Sequence, residues 1–178
     1  MNFIILIAIA IFGSIEAANQ SQSMFKLKFK FFVDFFSFLV YLQLNDGKMM
    51  PILGFSTWLT NRTDAYQLTK TAIEKGYRFI DTAWVYGNEK EVDRAINHLI
   101  DDGKVKRDDI FVETRVWNTF HKRESAVKNI NMSLANLGIK YIDLVLIHWP
   151  FGYKDGVNPY PYDQNHNIIF SDVDYLET

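Results

Sequence analysis

From Pro51 onward, short apolar runs alternate with stretches of helical periodicity. A first strand is expected near Ile52 to Thr57. A helix follows from about Thr63, with Ala65, Leu68, Ala72 and Ile73 on one face and Gly76 as its stop. Arg78 to Thr82 reads as a second strand. Val92, Ala95, Ile96, Leu99 and Ile100 then recur at i, i+3, i+4, i+7 and i+8, one face of a second helix ending before Gly103. Ile110 to Val116 is a third strand, and Val127, Ile130, Leu134 and Leu137 predict the buried stripe of a third helix closed by Gly138. A fourth strand, Ile142 to His148, is cut by Pro150. These strands are apolar on both faces, as in a parallel sheet covered by helices. The spacing predicts four βα units of a (β/α)8 barrel of the TIM type, truncated here because eight units need about 250 residues.

Ahead of the repeat, Tyr41 to Met50 (YLQLNDGKMM) alternates and then turns at Asp46-Gly47, which predicts a β-hairpin. Met1 to Phe12 is almost continuously apolar and is followed by the small pair Ala17–Ala18. The run is too short to cross a bilayer, which needs about 20 apolar residues. It fits a secretory signal peptide over residues 1–18 and hence a secreted protein. The alternative is a buried N-terminal element in a cytoplasmic protein. Residues 19–40 form a Phe- and Lys-rich extension to which no role is assigned. On this reading, residues 41–178 are the partial barrel, with no membrane attachment once the signal is removed.

Composition narrows the function. A net charge of -2 gives no electrostatic case for nucleic acid. The absence of cysteine excludes a disulfide framework, a Cys-ligated zinc site and a thiol nucleophile. The four histidines (98, 121, 148, 166) are scattered, with no HExxH, so no metal is expected.

Chemistry concentrates at the strand ends. Trp58 follows strand one, Asp81 ends strand two, Arg115 ends strand three, and His148-Trp149 ends strand four. In a barrel these ends open on one face. Tyr86, five residues past Asp81, can fold back over that face, and Trp58, Trp117 and Trp149 can wall the pocket. Such a set suits protonation of a carbonyl oxygen while hydride is delivered to carbon. A cation caged by Asp81 is expected to lower the phenol pKa from its usual value of about 10. A neutral imidazole donates to the oxygen as charge develops. No side chain supplies hydride, which implies a nicotinamide.

GYRFIDTAWVYGNEKEVDRAI (residues 76–96), with LNDGKMMPILGFSTW, LANLGIKYIDLVLIHWP and the loop after it, resembles the aldo-keto reductases, NADPH-dependent carbonyl reductases built on an eight-stranded α/β barrel. The resemblance runs from about Tyr41 to Thr178. It implies Tyr86 as general acid, His148 orienting the carbonyl, Asp81 as the buried acid and position 115 as the cation. It also implies Ser56, Thr57, Trp58 and Asp81 at the nicotinamide end of NADPH, and His148, Trp58, Trp117 and Trp149 around a carbonyl substrate. Two departures stand out. Arginine occupies the family's lysine position, keeping the charge but unable to give up a proton, so reduced activity is expected. The family's site for the cofactor's phosphates and adenine belongs to the barrel half that this sequence does not contain. The competing expectation is a non-catalytic half-barrel, an interaction module or incomplete gene product, self-associating through its open sheet edges.

Overall fold

The computed structural model describes residues 41–178; the expected signal peptide and the Phe/Lys-rich extension lie outside them. The hairpin forms as the alternation requires. Strands β1 (Tyr41–Gln43) and β2 (Met49–Pro51) pair. The turn is closed by Gly47 N–H on Leu44 O at 3.0 Å and Lys48 N–H on Asp46 Oδ1 at 3.0 Å. Gly47 sits at φ 84°, the left-handed region that a side chain disfavours.

Four further strands make one parallel sheet in chain order: β3 (Gly54–Ser56), β4 (Phe79–Asp81), β5 (Phe111–Val116) and β6 (Leu144–Ile147). Helices α1 (Arg62–Glu74), α2 (Glu89–Asp101) and α3 (Arg123–Leu137) connect them. This is the α/β barrel arrangement, carried through four strands. The expected elements are all present, their strands trimmed by a residue or more at the ends.

Strand alternation splits the sheet into two chemistries. Ile80 and Val112 face the helices and join Ile73, Val92, Ile96, Leu99, Ile110 and Leu137 in the buried core. In-register partners share the opposite face: Ser56 beside Asp81, and Asp81 beside Glu113, with Arg115 two residues further along β5. Each strand end is stitched to its neighbour. Thr57 N–H reaches Asp81 O (3.0 Å), Thr82 N–H reaches Glu113 O (3.1 Å), and His148 N–H reaches Val116 O (3.0 Å).

Two helical stripes differ from expectation. On α1, Leu68 is exposed and Thr69 takes its place in the buried row Ala65, Thr69, Ala72, Ile73. On α3, Val127 is exposed, Leu134 is only partly covered, and the buried row is Ala126, Asn129, Ser133, Leu137. The rotation has a polar cause. Asn129 Oδ1 accepts the Trp117 N–H at 3.0 Å, and Ser133 Oγ meets the Thr114 hydroxyl at 3.4 Å. An apolar-periodicity argument cannot see polar side chains that are buried because they are satisfied. The predicted stops hold at Gly76 (φ 101°), just beyond α1, and at Gly138 (φ 57°), which caps α3.

Glu89, in the first turn of α2, is a further buried polar residue, 2% exposed. Its carboxylate accepts from Asn136 Nδ2 (2.9 Å) and the Thr114 hydroxyl (3.2 Å). No cation is among these partners, and burial pushes its pKa up despite the hydrogen bonds. A carboxyl raised on folding holds its proton more tightly in the native state. Its contribution is therefore fully present below the unfolded pKa and is lost as pH rises through the folded one. Denaturant titrations from mildly acidic to neutral pH should show stability falling with pH by a component that Glu89→Gln removes.

Candidate active site

Thr57 to Asn61, the turn after β4 and the segment after β6 converge on the mouth of the sheet. Residues 84–86 form a single 3-10 turn that Gly87 ends at φ 67°, and this turn carries the Tyr86 ring over the strand ends. The Tyr86 hydroxyl accepts from Arg115 Nη1 at 3.2 Å. His148 packs edge-on to the Tyr86 ring (centroids 5.7 Å, 84°) and to Trp117 (4.9 Å, 85°). These groups share a cavity of about 760 Å³ lined by Trp58, Tyr86, Arg115, Trp117, His148 and Trp149, with Tyr153 and Tyr160 beside them.

Six of the expected residues thus meet in one pocket. Asp81 is set behind it, its Oδ1 3.0 Å from Arg115 Nη2. Ser56 and Thr57 are not among the lining residues. Thr57 is fully buried, and its hydroxyl is engaged with Asp81 O (3.2 Å), Thr82 Oγ1 (3.1 Å) and Asn88 Oδ1 (3.3 Å). Ser56 is exposed next to Asp81 on β3.

The electrostatics correct one expectation. The caged cation does not lower the Tyr86 pKa; the phenol is pushed above its ordinary value. Burial is the largest cause and the Asp81 charge the second, together outweighing the guanidinium. Arg115 is also shared with a second carboxylate, because Glu113 Oε1 accepts from its Nε at 2.9 Å and lies 2.8 Å from Nη2. His148 moves the other way. Burial, then the nearby Arg115 charge, lowers its pKa to about 4, so the imidazole is neutral at physiological pH.

Three contributors escaped the sequence reading. Glu113 is 4% exposed, and its only signal along the chain is the i, i+2 spacing to Arg115 on one strand face. Asn88 opens α2 but spends its side chain on the Thr57–Thr60 loop. Its Nδ2 donates to Thr57 O (2.9 Å), Thr60 O (3.1 Å) and Thr60 Oγ1 (3.0 Å). The segment after β6 is a wall built by long-range bonds with no periodic signature. Trp117 Nε1 holds Pro159 O at 2.8 Å, Tyr153 N–H holds Asn118 O at 2.7 Å, and bridges join Tyr153 to Phe170 and Tyr162 to Ile168.

The model of the aldo/keto reductase family matches residues 49–178, more than half of the sequence. The chain belongs to the aldo/keto reductase family. It is 43% identical over 140 residues to the human protein "Aldo-keto reductase family 1 member C4", a match covering 77% of this chain and 43% of that protein. Against the Oryctolagus cuniculus protein "Prostaglandin-E(2) 9-reductase" the identity is 44% over 138 residues, covering 76% and 43%. Among solved structures, the aldose reductase from Schistosoma japonicum superposes with a TM-score of 0.72 at 37% identity, over 75% of this chain and 44% of that one. The chain therefore spans less than half the length of these aldo/keto reductases, and the residues matched by the family model include those that line the cavity.

Proposed function

We propose that this aldo/keto reductase chain carries the catalytic face of an NADPH-dependent reductase of aldehydes or ketones, with Tyr86 as the general acid. The observation that supports this best is the Tyr86 hydroxyl, in contact with Arg115 and flanked by a neutral His148 on the wall of one cavity. The mouth also suits a nicotinamide riboside. Asp81 is paired through Oδ1 with Arg115 Nη2 at 3.0 Å and stands beside the exposed Ser56 on the neighbouring strand. Ser56, Trp58 and Asp81 would hold that end of the cofactor.

A nicotinamide, when bound, would supply hydride to the carbonyl carbon. The displaced π pair settles on the carbonyl oxygen, which takes the Tyr86 proton and becomes the alcohol. Arg115 Nη1 then stabilises the phenolate until solvent reprotonates it. His148, uncharged, can donate one ring N–H toward the same oxygen and fix the plane of the carbonyl. A pKa pushed upward keeps Tyr86 protonated through the neutral range, so proton supply for reduction persists into alkaline pH. The aromatic lining favours a bulky apolar carbonyl over a sugar aldehyde. The Oryctolagus cuniculus relative is named as a reductase of prostaglandin-E(2).

The test is consumption of NADPH with a reactive aromatic aldehyde, compared across pH. Turnover that persists above neutrality is expected. A second reading draws on β6, where Val145, Leu146 and Ile147 are all more than a third exposed. There the chain would be a non-catalytic module that pairs through this strand. Concentration-dependent association with no turnover would favour it and sink the reductase reading. Secretion after loss of residues 1 to about 18 belongs to the first reading, and the intact mass of the natural protein decides it.

A further inference from the structure

Glu113 and Arg115 lie two residues apart on β5, so both side chains leave the same face of the strand. Glu113 Oε1 accepts from Arg115 Nε at 2.9 Å and lies 2.8 Å from Nη2. That occupies one edge of the guanidinium and leaves Nη1 for Tyr86, 3.2 Å away. Asp81 Oδ1 is 3.0 Å from Nη2, close enough for charge attraction, yet it makes no aligned hydrogen bond. A guanidinium is a rigid planar fork, so fixing its Nε and Nη2 corner fixes the direction of Nη1. An ammonium, with three rotatable donors, would need no such guide.

We propose that Glu113 is a positioning residue for proton transfer: it clamps one edge of the Arg115 guanidinium and thereby aims Nη1 at the Tyr86 hydroxyl. Asp81, the neighbour of Glu113 across the β4–β5 pair, balances charge and does not orient the cation. This assigns a task to a buried carboxylate that is otherwise hard to account for. Both burial and the adjacent Asp81 oppose its ionisation, and the Arg115 hydrogen bond is the largest effect offsetting them. The proposal rests on the reductase reading and explains how an arginine can serve at a position where the family has lysine.

The test compares Glu113→Ala with Glu113→Gln. Both remove the charge, but only glutamine keeps an oxygen to accept from Nε. In aldehyde reduction, Glu113→Ala is expected to lower kcat by about 10- to 100-fold through misplacement of the donor, with little change in KM. Glu113→Gln should restore most of that loss. The second readout needs no turnover: ring-carbon NMR titration of tyrosine, with the Tyr86 signal assigned by its disappearance in Tyr86→Phe. The Tyr86 phenol should titrate higher in Glu113→Ala than in Glu113→Gln, because only the alanine variant loses the aimed Nη1. Equal kcat and equal titration in the two variants would overturn the proposal. Should wild type prove inactive, the reductase reading fails, and the titration alone still decides whether Glu113 aims the arginine. If the alanine variant does not fold, Glu113→Asp replaces it, keeping the charge but shortening the reach. Its expected result is a similar fall in kcat relative to wild type, and an unchanged kcat would count against the clamp.

Discussion

Replacing Tyr86 by phenylalanine should abolish most carbonyl reduction while leaving the fold intact. General acid catalysis contributes about 10²- to 10⁴-fold, and Tyr86 is the lining phenol whose hydroxyl accepts from Arg115. His148 is neutral near pH 7, with a pKa of about 4, and Arg115 does not release its proton. Only one oxygen is lost, from a half-buried ring whose hydroxyl has Arg115 as its hydrogen-bond partner. Thermal unfolding should therefore move little. Single-turnover rates with NADPH and an aromatic aldehyde give the size of the effect. A rate within a factor of a few of wild type would remove Tyr86 from the role proposed for it.

Asn88→Ala should be the most damaging substitution outside the chemical groups. Asn88 is fully buried and ties Thr57 O, Thr60 O and the Thr60 hydroxyl to the start of α2. Its removal also strips the Thr57 hydroxyl of one acceptor. Each buried polar group left unpaired costs about 1–3 kcal/mol, and relaxation or entering water recovers part, so a loss of about 2–4 kcal/mol is expected. The loop so released carries Trp58 and Leu59, which wall the cavity. Urea denaturation should register the lost stability, and KM for a bulky aldehyde should rise more than kcat falls. A variant as stable as wild type would mean that the loop is held by something other than this amide.

Much of this architecture is legible in the residues themselves. The β-branched strands, the glycine stops and the Asp-Gly turn each state a backbone preference locally, and Val92, Ala95, Ile96 and Leu99 read out the apolar part of the buried face of α2. Tyr86, Arg115, Trp117 and His148 could be placed together because strand ends of a barrel share a face. The illegible part is where polar groups are buried. Asn129 and Ser133 displace Val127 from the inner face of α3 through hydrogen bonds to distant partners, and no window along the chain encodes those. The sign of the Tyr86 shift was missed for a related reason. The residues show a cation beside an acid and imply a lowered phenol, whereas burial of the ring, which no spacing encodes, is the largest cause and raises it, with the Asp81 charge second.

The two-sided character of the sheet has a consequence for how such a chain can change. Ile80 and Val112 secure it from the helix side, whereas on the other side the Phe79–Phe111 ring pair packs at the strand starts and Asp81, Glu113 and Arg115 put charge toward the strand ends. The charged positions near the strand ends thus lie apart from the apolar core that the helices cover. An exchange of cation type at position 115 could be accommodated by one neighbour on the same strand, leaving the tolerance of the fold untouched.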